Sequence, residues 1–338
     1  SGSCANLPPE GPHTVADGTL STMLPQPPPA DRFSGPLAGG ARDPLPDRFR
    51  AVLSRYQTRP LLPLKGRTLW IEISLDLGLT RERTELGPGG LLVPGAAVLP
   101  WSAIEEISGA ENGCFVLEEG RPRRIQSFSA VTGRPCSLMP TAGAPALLVA
   151  GFNMHRIKDS DPFEDGRAKA LALRPVRGLV LDTATGLGYS AMEAARTAQG
   201  VHTIELDPAV AEVAAQNPWS RGLFTDDRIT RHFGDSFEVV DTFDPETFDR
   251  VIHDPPVISL AGALYSGEFY RKVHRVMAPG ARMFHYVGDP DSAPMQAITR
   301  GVRERLRQAG FSRVDSCRRA FGLVAYKCGG KRQTLRPG

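Results

Sequence analysis

The strongest constraint on this chain is a rhythm that starts near residue 160. Short apolar segments (178–183, 201–206, 228–233, 248–253, 281–287) alternate with helical stretches (188–199, 208–217, 266–277, 294–309). Continuous apolar runs of this length read as strands buried on both faces. Each intervening helix returns the chain to the same end of the sheet, so successive strands must lie parallel, with helices on both faces. Two last strand candidates, 311–318 and 320–328, follow one another without a helix. They predict an antiparallel hairpin that closes a seven-stranded, doubly wound α/β sheet.

The rest of the chain has a different texture. Residues 1–60 hold 11 of the 30 prolines, including Pro27-Pro28-Pro29, and read as an arm or linker, partly disordered. Residues 66–150 predict a small β-rich domain. The stretch from Thr68 to Leu75 alternates, Gly87-Pro88-Gly89-Gly90 signals a turn, and Ser102 with Glu105 three residues on predicts a short helix to Ile107. Trp70 and Trp101 are expected in its core. The sheet domain then takes residues 151–330 and a basic tail 331–338.

Composition excludes several classes of partner. No apolar run reaches the roughly 18 residues of a membrane span, so no membrane partner is expected. The formal charge is 40 − 37 = +3, too small to imply a polyanion. Residues 299–338 carry 11 Lys and Arg against Glu304 and Asp315, and their few aromatics form no pattern that supports base stacking. They read as solvated faces, and nucleic acid is not indicated. Five scattered cysteines form no C-x-x-C pair, and His202, His232 and His274 share no ligand spacing, so no metal is expected. Reduced thiols of this kind suggest a cytoplasmic protein.

The chemistry concentrates where the strands end. The first strand runs into Asp182-Thr-Ala-Thr-Gly-Leu-Gly188, a loop whose Gly186 and Gly188 let backbone turn tightly beside a ligand. In doubly wound sheets the ligand lies beyond the carboxyl ends of the strands. The second strand ends in Glu205, about 20 residues on, where an acid can hold both hydroxyls of a ribose. Asp207-Pro208 caps the following helix. The third strand ends at Gly234-Asp235, within reach of an adenine amino group, and the fourth at His253-Asp254-Pro255-Pro256.

This region resembles the class I S-adenosylmethionine (SAM)-dependent methyltransferases. The resemblance implies a Rossmann-like sheet and SAM as cofactor, held by Asp182, Thr185, Gly186, Gly188, Glu205, Leu206, Gly234, Asp235 and Asp254. Leu264-Tyr-Ser-Gly-Glu-Phe-Tyr270 and Met277-Ala-Pro-Gly280 are similar to polyamine (spermidine) synthases. From Gly66 on the chain looks like the spermidine-synthase-like methyltransferases best known from archaea. Gly66 to Thr80, Met154-His-Arg-Ile-Lys158, Asn217-Pro-Trp-Ser-Arg221 and Phe284 to Pro290 carry that likeness. It implies a homodimer through the β-rich domain.

The implied reaction is direct in-line methyl transfer to an amine nitrogen of a small-molecule or macromolecular acceptor. Asp254 orients the N–H and absorbs charge, with His253 beside it as a candidate base. His155, Pro255, Pro256, Tyr265 and Tyr286 are the expected substrate contacts. Nucleobase amino methyltransferases place an aromatic after Asp-Pro-Pro, whereas Val257 stands here; Tyr265 or Phe152, from elsewhere in the chain, are the rings that could substitute. Aminopropyl transfer from decarboxylated SAM is the alternative. It is disfavoured at this stage because the fourth-strand turn holds one acid where a diamine needs more. A non-catalytic binding or partner subunit is the third reading.

Overall fold

Four strands of the sheet domain end at the same edge because their registers are parallel. We label them β1 (Leu179–Asp182), β2 (Gly200–Glu205), β3 (Ile229–Phe233) and β4 (Phe248–His253). They are followed by β5 (Met277–Tyr286), β6 (Arg313–Cys317) and β7 (Gly322–Tyr326). The computed structural model describes residues 50–95, 97–289 and 292–330. The basic tail and all of the predicted arm before residue 50 lie outside the described residues.

The spatial order is 3-2-1-4-5-7-6, with β1 to β5 parallel and β7 antiparallel to both β5 and β6. This is the Rossmann-like class I methyltransferase fold expected from the strand–helix rhythm and the terminal hairpin. Register aligns Asp182 with Thr203 and Ile252, Glu205 with Phe233, and His253 with His285. The polar residues at each strand end therefore converge on one edge.

Both faces of the sheet are covered, which is why its strands read as continuous apolar runs. Successive residues alternate between two buried clusters. Leu181, Val251 and Met283 pack on one face with Phe269, Tyr270 and Val273 of the helix Gly267–Val276. Val180, Ile252 and Phe284 pack on the other with Ala191, Ala194 and Ala195 of the helix Tyr189–Ala195.

The β-rich region forms three small sheets rather than one. The first joins Val52–Leu53, Phe115–Glu118 and Arg121–Arg124. The second contains Leu69–Ile73 and Glu82–Gly87, and the third runs from Gln126–Phe128 to Phe152–Asn153. Leu53 is fully buried, and Ser54 caps a short helix Arg55–Thr58. The linker reading of residues 1–60 therefore does not hold over this segment, whose Ala51-Val52-Leu53 triplet is buried. The predicted helix is present at Trp101–Gly109 and buries Trp101, Ile104 and Ile107. Trp70 corrects the expectation: it is 59% exposed, with the Arg83 guanidinium 5.3 Å from its ring centroid.

The third small sheet packs on the sheet domain. Cys136, Leu138 and Leu147 meet Val210, Val213 and Ala214 of the helix Pro208–Ala215. Tyr189 Oη donates to Pro145 O at 2.9 Å, and Trp219 Nε1 donates to Leu77 O at 3.1 Å.

One further helix, Pro162–Leu171, enters the sheet domain just ahead of β1. Asp161 caps it by accepting from the amides of Phe163 and Glu164 through Oδ1, while Oδ2 accepts from the Ala144 amide at 2.8 Å. Proline at its first position has no N–H to leave unpaired. Asp161→Ala should lower stability by about 1–2 kcal/mol, read as a shift of the urea midpoint. An unchanged midpoint would mean the cap does not hold this helix.

Candidate active site

The loop between β1 and the helix Tyr189–Ala195 is held from below by Asp182. That residue is fully buried. Its Oδ2 accepts from Ser190 Oγ at 3.2 Å and Thr203 Oγ1 at 3.3 Å, and its Oδ1 from the Ala184 amide at 3.4 Å. Burial pushes the carboxyl up to about 7, against the pull of these hydrogen bonds. Thr185 Oγ1 and Thr203 Oγ1 share a 2.6 Å hydrogen bond. Gly186 and Gly188 have φ of 53° and 74°. A Cβ on Gly188 would lie 2.8 Å from the side chain of Leu223, while one on Gly186 would meet nothing within 4 Å. Gly186 thus leaves its loop open to a ligand.

Glu205 faces this loop from the tip of β2. Its Oε2 accepts from the Gly186 amide at 2.9 Å and its Oε1 from the Asp207 amide at 3.0 Å. Burial raises the carboxyl to about 7, with both amides opposing. The Leu206 amide also acts on this carboxylate, and of its roughly four acceptor sites one remains for a hydroxyl donor. Leu206 and Phe233 are each 45% exposed beside it. Asp235 is exposed at the tip of β3 and uses Oδ1 to cap the Phe237 amide at 2.9 Å. The Gly234 amide donates to Glu205 O at 2.9 Å, tying that tip to β2. Thr185, Gly186, Glu205, Leu223, Phe224, Arg231 and Phe233 line one pocket. Glycine backbone, a ribose-type acid and flanking apolar side chains suit an adenosyl ligand.

Asp254 stands at the tip of β4 and does not stand alone. Lys169 Nζ, from the entering helix, lies 2.5 Å from Asp254 Oδ2 and 2.8 Å from Asp165 Oδ2. Asp165 in turn holds Arg156 Nη1 at 3.0 Å through Oδ1. The Lys169 ammonium sits 4.5 Å from the ring centroid of Tyr286. Burial alone would lower the lysine, but Asp254 and Asp165 overcome it and hold the ammonium above its ordinary range. Burial raises Asp254, and Lys169 draws it part of the way back. Tyr265 is buried nearby, with its hydroxyl donating to Pro256 O at 3.1 Å. Pro255 is buried and Pro256 exposed.

His155 joins this group. Its Nδ1 accepts from the Leu147 amide at 3.2 Å, leaving Nε2 as the protonated nitrogen. Burial, reinforced by Lys169, drives its pKa down to about 3. It is thus a neutral donor, not a titrating base. His253, expected beside Asp254 as a base, is instead fully buried in the sheet. Its Nδ1 is 2.7 Å from Thr183 Oγ1 and its Nε2 3.0 Å from Leu264 O. Alternation along β4 turns it away from the turn, and burial holds it down to about 4. The geometry therefore does not bring His253 to the reacting edge.

Lys169 and Asp165 were missed in the sequence. An Asp–Lys pair four residues apart on a helix ordinarily marks a solvated face. Only the packing of that helix against β5 and the strand tips buries it.

No protein-family model matches this chain. It is 46% identical over 192 residues to an uncharacterised protein of Methanocaldococcus jannaschii, across 56% of this chain and 66% of that one. It is 31% identical over 169 residues to polyamine aminopropyltransferase 2 of Streptomyces coelicolor, across 47% of this chain and 28% of that protein. The chain thus spans just under two thirds of the first relative and little more than a quarter of the second. The solved spermidine synthase of Thermotoga maritima superposes with a TM-score of 0.49 at 18% identity, covering 61% of this chain and 72% of that one.

Asp182 generates a pH-dependent stability. Its carboxyl is raised from 3.8 to about 7 in the folded chain. Between those values the folded state binds more protons than the unfolded one, so this residue's contribution falls as pH rises. Asp182→Asn cannot ionise. Relative to wild type it should flatten the loss of unfolding free energy between pH 5 and pH 7.5 by on the order of 1–3 kcal/mol. Parallel urea-midpoint profiles for the two proteins would refute this.

Proposed function

We propose that this chain is a transferase that moves an alkyl group from an adenosyl sulfonium donor to an acceptor nitrogen beside Asp254. One observation carries the reading: the open Gly186 loop and the acids Glu205, Asp235 and Asp254 lie on adjoining tips of one parallel sheet. A sulfonium donor supplies a carbon already activated by the positive charge on its sulfur. The protein therefore contributes positioning and a proton acceptor more than covalent catalysis.

The roles divide along the edge. Glu205 faces the ribose, Asp235 keeps Oδ2 for an adenine amino group, and Leu206 and Phe233 flank the base. On the other side of β1, Asp254 receives the acceptor. The acceptor nitrogen gives its lone pair to the alkyl carbon as the carbon–sulfur bond breaks. The sulfur keeps that bonding pair and becomes neutral, and Asp254 takes the proton the nitrogen sheds.

Two groups fit this scheme, methyl from SAM and aminopropyl from decarboxylated SAM. Aminopropyl transfer is supported by the named relative, a polyamine aminopropyltransferase 31% identical over the matched region. That finding gives aminopropyl transfer more weight than the sequence motifs alone allowed. Methyl transfer is supported by Lys169, which already occupies the place between Asp254 and Asp165 where an ammonium group of a diamine would sit. Turnover of each donor with a panel of amines separates them.

Calorimetry with S-adenosylhomocysteine tests the division of roles. Glu205→Ala should weaken binding by about 1–3 kcal/mol through lost charge-assisted hydrogen bonds. Asp254→Ala should keep that affinity and lose turnover. Equal losses of affinity in both variants, or no heat with wild type, would sink the assignment.

A further inference from the structure

The seat beside Asp254 already holds an ammonium group. Lys169 Nζ lies between Asp254 Oδ2 at 2.5 Å and Asp165 Oδ2 at 2.8 Å, with the Tyr286 ring centroid at 4.5 Å. Two carboxylates and an aromatic ring are what recognises an alkylammonium ion. Here the chain fills that place with its own side chain, and Lys169 is only 2% exposed. A dissolved amine cannot enter the seat without moving a buried residue of the entering helix.

Charge arithmetic points the same way. Arg156 and Lys169 contribute two positive charges, Asp165 and Asp254 two negative ones, and the cluster sums to zero. An incoming alkylammonium meets no net attraction there, and displacing Lys169 would break a buried ion pair. An uncharged N–H asks for less, since it needs one acceptor lone pair. Asp254 offers one: its side chain is 23% exposed, and no described residue donates to Oδ1. Beyond the charged cluster stand aromatic and apolar side chains. Tyr265 and Tyr286 stand close to Asp254, and Val257, Ile258 and Leu260 are exposed just beyond the turn.

We infer that Lys169 determines specificity. It occupies the ammonium seat at Asp254, so the acceptor is a molecule whose nucleophilic nitrogen is uncharged near neutral pH, such as an amino group on an aromatic ring, and not an alkyl diamine. The inference rests on the reading of Asp254 as the acceptor-side acid. Lys169 stays paired with Oδ2 while Oδ1 accepts the N–H.

A matched pair of probes tests this on the full chain. Aniline is uncharged near neutral pH, and cyclohexylamine presents a ring of similar size with a protonated nitrogen. Wild type should bind aniline about tenfold or more tightly than cyclohexylammonium, and bind putrescine no better than cyclohexylammonium. Lys169→Met should reverse the order, gaining about tenfold for both cations, and the added change Asp254→Asn should erase the gain. A wild-type protein that binds cyclohexylammonium or putrescine as tightly as aniline overturns the inference, whether or not the variants fold. Unaltered ratios in a folded Lys169→Met protein overturn it equally. S-adenosylhomocysteine titrated separately reports on the donor reading, so failure of one is distinguishable from failure of the other.

Discussion

The buried carboxylate of Asp182 is the point on which the rest of the edge depends. It joins β1 to Thr203 of β2 and to Ser190 at the head of the next helix, and so fixes the loop that carries Gly186. Thr185 bonds to the same threonine. A buried ionisable group costs free energy unless its partners are in place. Burial raises this one to about 7, and three donors satisfy it. The loop, the ribose-type acid and the strand tips then follow from register, because each parallel pair brings its last residues to one line.

Two halves of the edge differ in character. Glu205 itself is held by backbone amides, and the apolar side chains of Leu206 and Phe233 stand exposed beside it. Around Asp254 the polar atoms belong to side chains that have already paired with one another. The first half is a backbone cradle around one acid. The second is a closed circuit of charge with one oxygen to spare. Fold alone does not separate the chemistries that share this sheet. The difference between the halves does more to narrow them.

Much of the architecture was legible because it rests on local periodicity. The seven strands and the helices between them fall close to where the apolar runs place them, and the terminal hairpin follows from the missing helix between β6 and β7. Gly186, Glu205 and Asp235 were legible because a tight loop and strand-end acids leave short-range marks. Lys169 left none, since its burial depends on how one helix lies across strands more than 80 residues away. His253 was misplaced for a related reason. Its neighbour Asp254 reaches the edge, and only the pleat decides that the histidine points into the core. Trp70 shows the opposite failure: a large aromatic in an alternating strand, lying on its exposed face with the Arg83 guanidinium over the ring.

The cap on the entering helix has a wider consequence. Asp161 spends one oxygen on its own helix and the other on the amide of Ala144, in the segment between two strands of the third small sheet. The third small sheet and the helix that carries Lys169 therefore share one anchor, and Lys169 stands two turns beyond it. The place of that ammonium is set by packing among residues 126–153 as well as by the carboxylates it meets.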